Sequence, residues 1–190
     1  GNTLPKLTVT TTAGSALTIT DGQSTITGTA TGGSFTTTLP RLGEWTVTAS
    51  LAGLTTDDTV TVDVVGGQYT LNLPYFAATL AVTAATGSTV TPTMTGTGKA
   101  YKAAADSDGV ASVRIKRAGT YTVQAVRGDA ISDTAEIEVT QNGGSYTTTV
   151  HFCVLTLTAP VGSEVTASCG DTTLTAIVSG LSLIHISEPT

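Results

Sequence analysis

The residues best suited to chemistry in this chain are few and widely spaced. Asp106-Ser-Asp108-Gly109 sets two carboxylates two residues apart, a spacing that opens some calcium loops. Calcium takes about six to eight oxygens, and an EF-hand loop continues with further acidic ligands and a distal bidentate glutamate. Here the acidic run stops at Gly109 and passes straight into an alternating segment. Asp106 and Asp108 are thus a weak calcium candidate, and a turn whose aspartates accept nearby backbone N–H groups fits them better.

Cys153 and Cys169 flank a hairpin-like segment centred near Val161. If the strands around them pair directly, a disulfide has the right geometry; if those strands lie in different sheets, it does not. Small apolar packing residues are the favoured reading, and two cysteines without supporting ligands cannot close a zinc site. His151 lies between Val150 and Phe152 in an alternating run, with no Gly-x-Ser-x-Gly elbow, P-loop or His-Glu-x-x-His anywhere. The carboxylate pairs Asp57-Asp58 and Glu136/Glu138 read as solvated surface in a loop and on one strand face. A Lys6–Asn72 isopeptide cross-link needs a buried lysine, whereas both residues have the outward parity. No catalytic residue, cofactor or enzymatic activity is expected.

Of the 190 residues, 43 are threonine, 21 are glycine, and only 12% are charged, with a net charge of −6. Threonine and glycine are poor helix formers, while β-branched residues separated by turn residues suit strands. A disordered chain would carry more charge and fewer β-branched residues. Eight lysines and arginines spread thinly cannot track a phosphate backbone, so nucleic acid is not an expected partner. Nor is a membrane. No charged-then-apolar leader opens the chain at Gly1, so no signal peptide is read there.

The dominant signal is internal repetition. Leu7-Thr-Val-Thr-Thr-Thr-Ala-Gly14-Ser aligns with Leu80-Ala-Val-Thr-Ala-Ala-Thr-Gly87-Ser and Leu155-Thr-Leu-Thr-Ala-Pro-Val-Gly162-Ser. Leu42-Gly-Glu-Trp45-Thr-Val aligns with Ala118-Gly-Thr-Tyr121-Thr-Val, and Gly66-Gly-Gln-Tyr69 with Gly143-Gly-Ser-Tyr146. Within each copy the apolar residues alternate, as in Trp45, Val47 and Ala49, which means one buried and one wet face. The expected fold is all-β: tandem small Greek-key β-sandwich modules over 1–76 and 77–153, with a truncated third start over 154–180. Trp45, Tyr121, Tyr69 and Tyr146 are the expected core aromatics. The stub at 154–180 is expected to be poorly ordered or to pack on the second module.

The Gly-x-aromatic-Thr-Val segment resembles the tyrosine-corner strand of immunoglobulin-like domains. Asp106-Ser-Asp-Gly109, the alternating Val110–Ile115 and Gly119-Thr-Tyr-Thr-Val together resemble carboxypeptidase-regulatory-like, or prealbumin-like, sandwiches. The wider string resembles threonine-rich modules found in tandem on phage tail proteins and bacterial surface proteins. That resemblance implies a non-enzymatic stalk or fibre segment on a virion or cell surface, spacing a domain outside the chain. Its implied partners are neighbouring repeats, with a host-surface protein or glycan left open. A glycan-binding module is the reading from another class, but Trp45, Tyr69, Tyr121, Tyr146 and Phe35 fall in core register, which leaves Tyr75 and Tyr101 as its candidates. Residues 181–190 match nothing upstream and resemble a translated sequencing adapter, so they are expected to stand outside the fold.

Overall fold

The computed structural model describes residues 3–157, 159–169, 172–178 and 182–186, and it is built of strands. The chain divides into two compact units, Gly1–Ala77 and Ala78–Thr190.

The first unit holds seven strands: β1 (Lys6–Thr10), β2 (Ala16–Thr20), β3 (Thr25–Thr29), β4 (Ser34–Thr38), β5 (Gly43–Leu51), β6 (Leu54–Val62) and β7 (Gln68–Asn72). They form a three-stranded sheet, β4-β1-β7, and a four-stranded sheet, β3-β2-β5-β6. Strand β1 runs antiparallel to β4 but parallel to β7, with Lys6 opposite Gln68 and Thr10 opposite Asn72. Lettered A to G, an immunoglobulin constant domain groups A, B, E and D against C, F and G. Here A, D and G face B, C, E and F, so the strand order is a different one.

Alternation decides the core. Leu7, Val9 and Leu71 of one sheet meet Leu17, Ile19, Trp45, Val47, Ala49 and Val62 of the other, all buried. Each such aliphatic side chain contributes roughly 1.5–3 kcal/mol on burial. Threonines take most of the outward positions, where the branched side chain favours extended backbone. Cross-strand threonines also pair there, as with the hydroxyls of Thr8 and Thr36 at 2.9 Å.

The second unit repeats the plan with β8 (Ala78–Thr83), β9 (Thr89–Met94), β10 (Ala103–Ala104), β11 (Val110–Ile115), β12 (Gly119–Arg127), β13 (Ala130–Ile131), β14 (Ala135–Val139) and β15 (Ser145–Thr149). The sheet β11-β8-β15 matches β4-β1-β7, again with the first and last strands of the module, β8 and β15, paired in parallel. In the other sheet β10-β9-β12 is completed by β13 and β14, which together replace β6. The split has a simple cause. Between Ser132, whose N–H meets the Ala125 carbonyl, and Ala135, which faces Val123, two residues oppose Gln124 alone. That one extra residue is a β-bulge. Pro92 sits inside β9 and its carbonyl accepts from Tyr101. Its missing donor therefore faces the side where β10 is only two residues long, the tolerable place for proline in a sheet.

The Gly-Ser motif is a turn that brackets the end of the third strand. Gly14 N–H donates to Ala30 O and Ala30 N–H to Ser15 O; in the second module Ala105 N–H donates to Ser88 O. Gly162 and Ser163 bracket Val178 in the same way. Gly14, Gly87 and Gly162 have φ of 88°, 83° and 89°, a region that favours glycine.

Beyond the second module lie β16 (Cys153–Leu157), β17 (Glu164–Cys169), β18 (Thr172–Ile177) and β19 (Ser182–Ile186). They pair as β16 with β19 and β17 with β18. Among the described residues, the stretch read as the start of a third copy holds β16, β17 and β18, and residues 182–186 form β19. Leu155 faces Ile184 as Leu7 faces Thr37 and Leu80 faces Val113. The physical reason is local: Leu183 to Ile186 is largely branched apolar sequence, which accepts an extended conformation beside any open edge.

Candidate functional site

The candidate residues are held at strand ends and turns, and most are engaged in structure. Asp106 Oδ1 accepts the N–H groups of Asp108 at 2.9 Å and Val110 at 3.0 Å, while Gly109 N–H donates to Asp106 O. One carboxylate oxygen is therefore occupied in shaping the turn that launches β11. Asp108 is exposed beside it. Among the described residues no three histidine, cysteine or acidic side chains gather as a metal site.

Cys153 opens β16 and Cys169 closes β17, and these strands belong to different two-stranded sheets. Of the two alternatives open from sequence, direct pairing of those strands is not the one observed. The cysteine side chains themselves lie outside the described residues. Lys6 and Asn72 are both exposed, and in the parallel register Asn72 faces Thr10, four residues beyond Lys6. At roughly 3.3 Å per residue the two are about 13 Å apart along the ladder, too far to cross-link.

The carboxylate pair Asp57-Asp58 departs from expectation. It lies inside β6, not in a loop, and Asp58 is 6% exposed. The register explains this: Leu51 faces Leu54 across a tight turn, so β6 extends further than its sequence suggests. Thr56, Asp58, Val60 and Val62 then share the inward parity. Asp58 Oδ1 accepts Thr59 N–H at 2.8 Å, and Thr56 Oγ1 donates to the Pro74 carbonyl at 3.0 Å. Glu136 and Glu138 are exposed on β14.

Trp45 and Tyr121 are completely buried, and each ties its polar tip to the backbone four residues upstream. Trp45 Nε1 donates to Arg41 O at 3.3 Å, and Tyr121 Oη to Arg117 O at 2.7 Å. The aromatic thus clamps the corner that leads into β5 or β12. Arg41 continues this corner outward, its guanidinium meeting Asp21 Oδ2 at 2.8 Å and Ser24 Oγ at 3.1 Å. The backbone N–H of Ser24 above all, then that of Gln23 and the charge of Arg41, hold the Asp21 carboxyl below the usual carboxylate range, against the opposing effect of its burial.

Tyr69 and Tyr146 are half-buried, where full core positions were expected. Their rings lie against the preceding glycine: a Cβ on Gly67 or Gly144 would come within 2.8 Å of the ring. Their hydroxyls sit under the turn before the strand. Tyr69 Oη accepts from the N–H of Asp63 and Val64, and Tyr146 Oη from those of Thr140 and Gln141. The Thr140 hydroxyl first, with these backbone donors, lowers the Tyr146 phenol from its ordinary value. The Gly-x-Tyr motif is therefore a turn cap, and that polar task explains why the ring stays near the surface.

Tyr75 packs against the first core and donates to Ser15 Oγ at 2.9 Å. Tyr101 is half-buried, 6.3 Å from the Tyr121 ring, with Lys99 Nζ 5.7 Å above its face. These two aromatics belong to separate modules. Neither presents a bare ring for a sugar to stack on.

Sequence reasoning missed the link from Asp133 to His151. Asp133 Oδ1 accepts His151 N–H at 2.6 Å, Asp133 Oδ2 lies 3.1 Å from His151 Nδ1, and Asp133 N–H donates to His151 O. The bulge in the sixth strand carries Asp133 to the end of β15, where Thr56 of the first module reaches Pro74 instead. Only an alignment exposing the extra residue near Ser132 would have signalled it.

No protein-family description matches the chain, and no curated protein matches its sequence. Solved structures similar to it include the TIE protein of Bacillus anthracis, with 16% identity, 78% of this chain covered and a TM-score of 0.35. The chain spans 33% of that protein's length. GBS52, a minor pilin of Streptococcus agalactiae, is 12% identical over 76% of this chain and 93% of its own, also at 0.35. A calcium-stabilised adhesin of an Antarctic bacterium is 15% identical over 91% of this chain and 56% of its own, at 0.21. Scores this low transfer neither topology nor activity, so the functional reading rests on the chain's own residues.

Proposed function

We propose that this chain is a non-enzymatic spacer: tandem prealbumin-like sandwich modules that hold a domain outside it at a distance from a virion or cell surface. The observation that carries this reading is the repetition of structural devices. The Gly-Ser bracket occurs three times, the buried Trp or Tyr corner twice, and the Gly-x-Tyr turn cap twice. The strand order departs from the immunoglobulin one, which supports taking the prealbumin-like resemblance as the reading here. The residues that differ between modules, among them the Asp106 turn and the Asp133 bulge, are spent on backbone geometry.

A phage tail or virion-associated protein is the setting we favour, and an adhesin stalk on a bacterial surface is the alternative. Neighbouring repeats are the partners in both. Immunogold labelling with antibodies raised against residues 3–152 decides between them, since label on tails supports the first and label on intact cells the second. A glycan array and a host-surface extract probed with the same chain test the spacer role itself. Saturable binding to either would replace it with a recognition role.

A further inference from the structure

We propose that each module is a mechanical clamp, able to resist tension along the chain through the parallel ladder between its first and last strands. This deepens the spacer reading and rests on it only for its purpose, because the ladder's strength is a property of each module alone. In the first module β1 and β7 are parallel and in register from Lys6–Gln68 to Thr10–Asn72. In the second, β8 and β15 are parallel from Thr79–Ser145 to Thr83–Thr149. Because the strands are parallel, the chain enters at one end of the ladder and leaves at the other. Tension applied through the chain therefore slides the two strands past each other, and the five register pairs share the load. An antiparallel terminal pair would instead open one bond at a time from the loaded end.

Further bonds secure both ends of the ladder. Lys6 N–H donates to Gly67 O at 2.9 Å, and Leu73 N–H to Thr10 O at 2.8 Å. Thr11 Oγ1 adds a bond to Leu73 O at 2.7 Å. The second module repeats the pattern with Thr79 N–H to Gly144 O and Val150 N–H to Thr83 O. Strands β7 and β15 are edge strands, hydrogen-bonded only to β1 and β8 within their sheets. Each ladder is thus the one sheet attachment of the strand through which load leaves. The connecting segments are short: β8 begins six residues after β7 ends, and β16 begins four residues after β15 ends. Little slack separates one ladder from the next.

The test is single-molecule stretching of the full chain, with Cys153 and Cys169 replaced by serine. Handles on the two termini load both ladders by sliding. The expected record has two abrupt ruptures. Releasing the 67 residues from Lys6 to Asn72 lengthens the chain by about 21 nm, and releasing the 72 from Ala78 to Thr149 by about 23 nm, at ~3.4 Å per residue less the folded ladder. A second variant carries handles on cysteines at the exposed positions Lys6 and Gln68, which face each other at one end of the ladder. The same folded module is then peeled open. Its rupture force is expected to be at least about two-fold lower at equal pulling speed, because the bonds break in turn. Equal forces in the two geometries, or gradual lengthening without ruptures under terminal load, would overturn the clamp. Ligand binding on the array would overturn the spacer reading and leave these forces unchanged, so the two failures are distinguishable.

Discussion

Replacing Trp45 with alanine should unfold the first module and spare the second. Trp45 is fully buried among Leu7, Leu17, Val47 and Val62, and its indole N–H holds the Arg41 carbonyl. An aromatic of this kind buries roughly 150–250 Å². At about 25 cal/mol per Å² that is about 4–6 kcal/mol of transfer free energy, and measured truncations of buried Trp to Ala cost about 3–5 kcal/mol. A unit of 77 residues has a total stability of about 4–12 kcal/mol. The substitution therefore removes from about a third to all of it, enough to raise the open population of this module by a factor of about 10² or more. Amide hydrogen exchange reads the two modules separately. In Trp45→Ala, the amides of β1, β2 and β5 should lose their protection while those of β8, β9 and β12 keep theirs. Trp45→Phe, which keeps most of the ring, should fall between the mutant and the wild type. Unchanged protection in the first module would refute the anchor role, and simultaneous loss in both would refute separate folding of the modules.

Other consequences follow from particular contacts. Because the Asp21 pKa is lowered on folding, its contribution is fully present above the unfolded value and is lost as pH falls through the lower folded value. Urea midpoints of wild type and Asp21→Asn should differ near neutrality and converge below about pH 4; a constant difference down to strong acid would contradict this. Calcium should leave the thermal midpoint of the second module unchanged, whereas Asp106→Ala should destabilise it by about 0.5–1.5 kcal/mol through lost turn bonds. A calcium-dependent midpoint would restore Asp106 and Asp108 as a metal site. If Cys153 and Cys169 are small apolar packing residues, both should titrate as free thiols in unfolded, non-reduced protein; fewer than two would show a bridge.

The sequence disclosed the strands and their faces because period-two alternation is a local signal. Leu7 and Val9, or Trp45, Val47 and Ala49, carry it without help from distant residues. The Gly-Ser turns were equally legible, since repetition at one spacing marks a shared backbone need. Sheet membership was not, because β3 and β4 differ in partner and not in composition. The inward place of Asp58 was hidden for a related reason: it follows from the length of the β5–β6 hairpin, and the Asp-Asp pair reads locally as surface. Tyr69 and Tyr146 had core parity, yet a hydroxyl required by two backbone donors outweighed full burial of the ring. The Asp133–His151 contact depended on one inserted residue acting across the module, which no local pattern announces.

If the array works as a spacer, the length of the array matters and the identity of any one module does not. The direct measurement is to insert a second copy of residues 78–152 in frame in the full-length protein and image the labelled outer domain by electron microscopy. The account predicts that the outer domain moves outward by one module, with assembly and attachment intact. An unchanged distance, or loss of attachment that a spacing change alone does not explain, would contradict it.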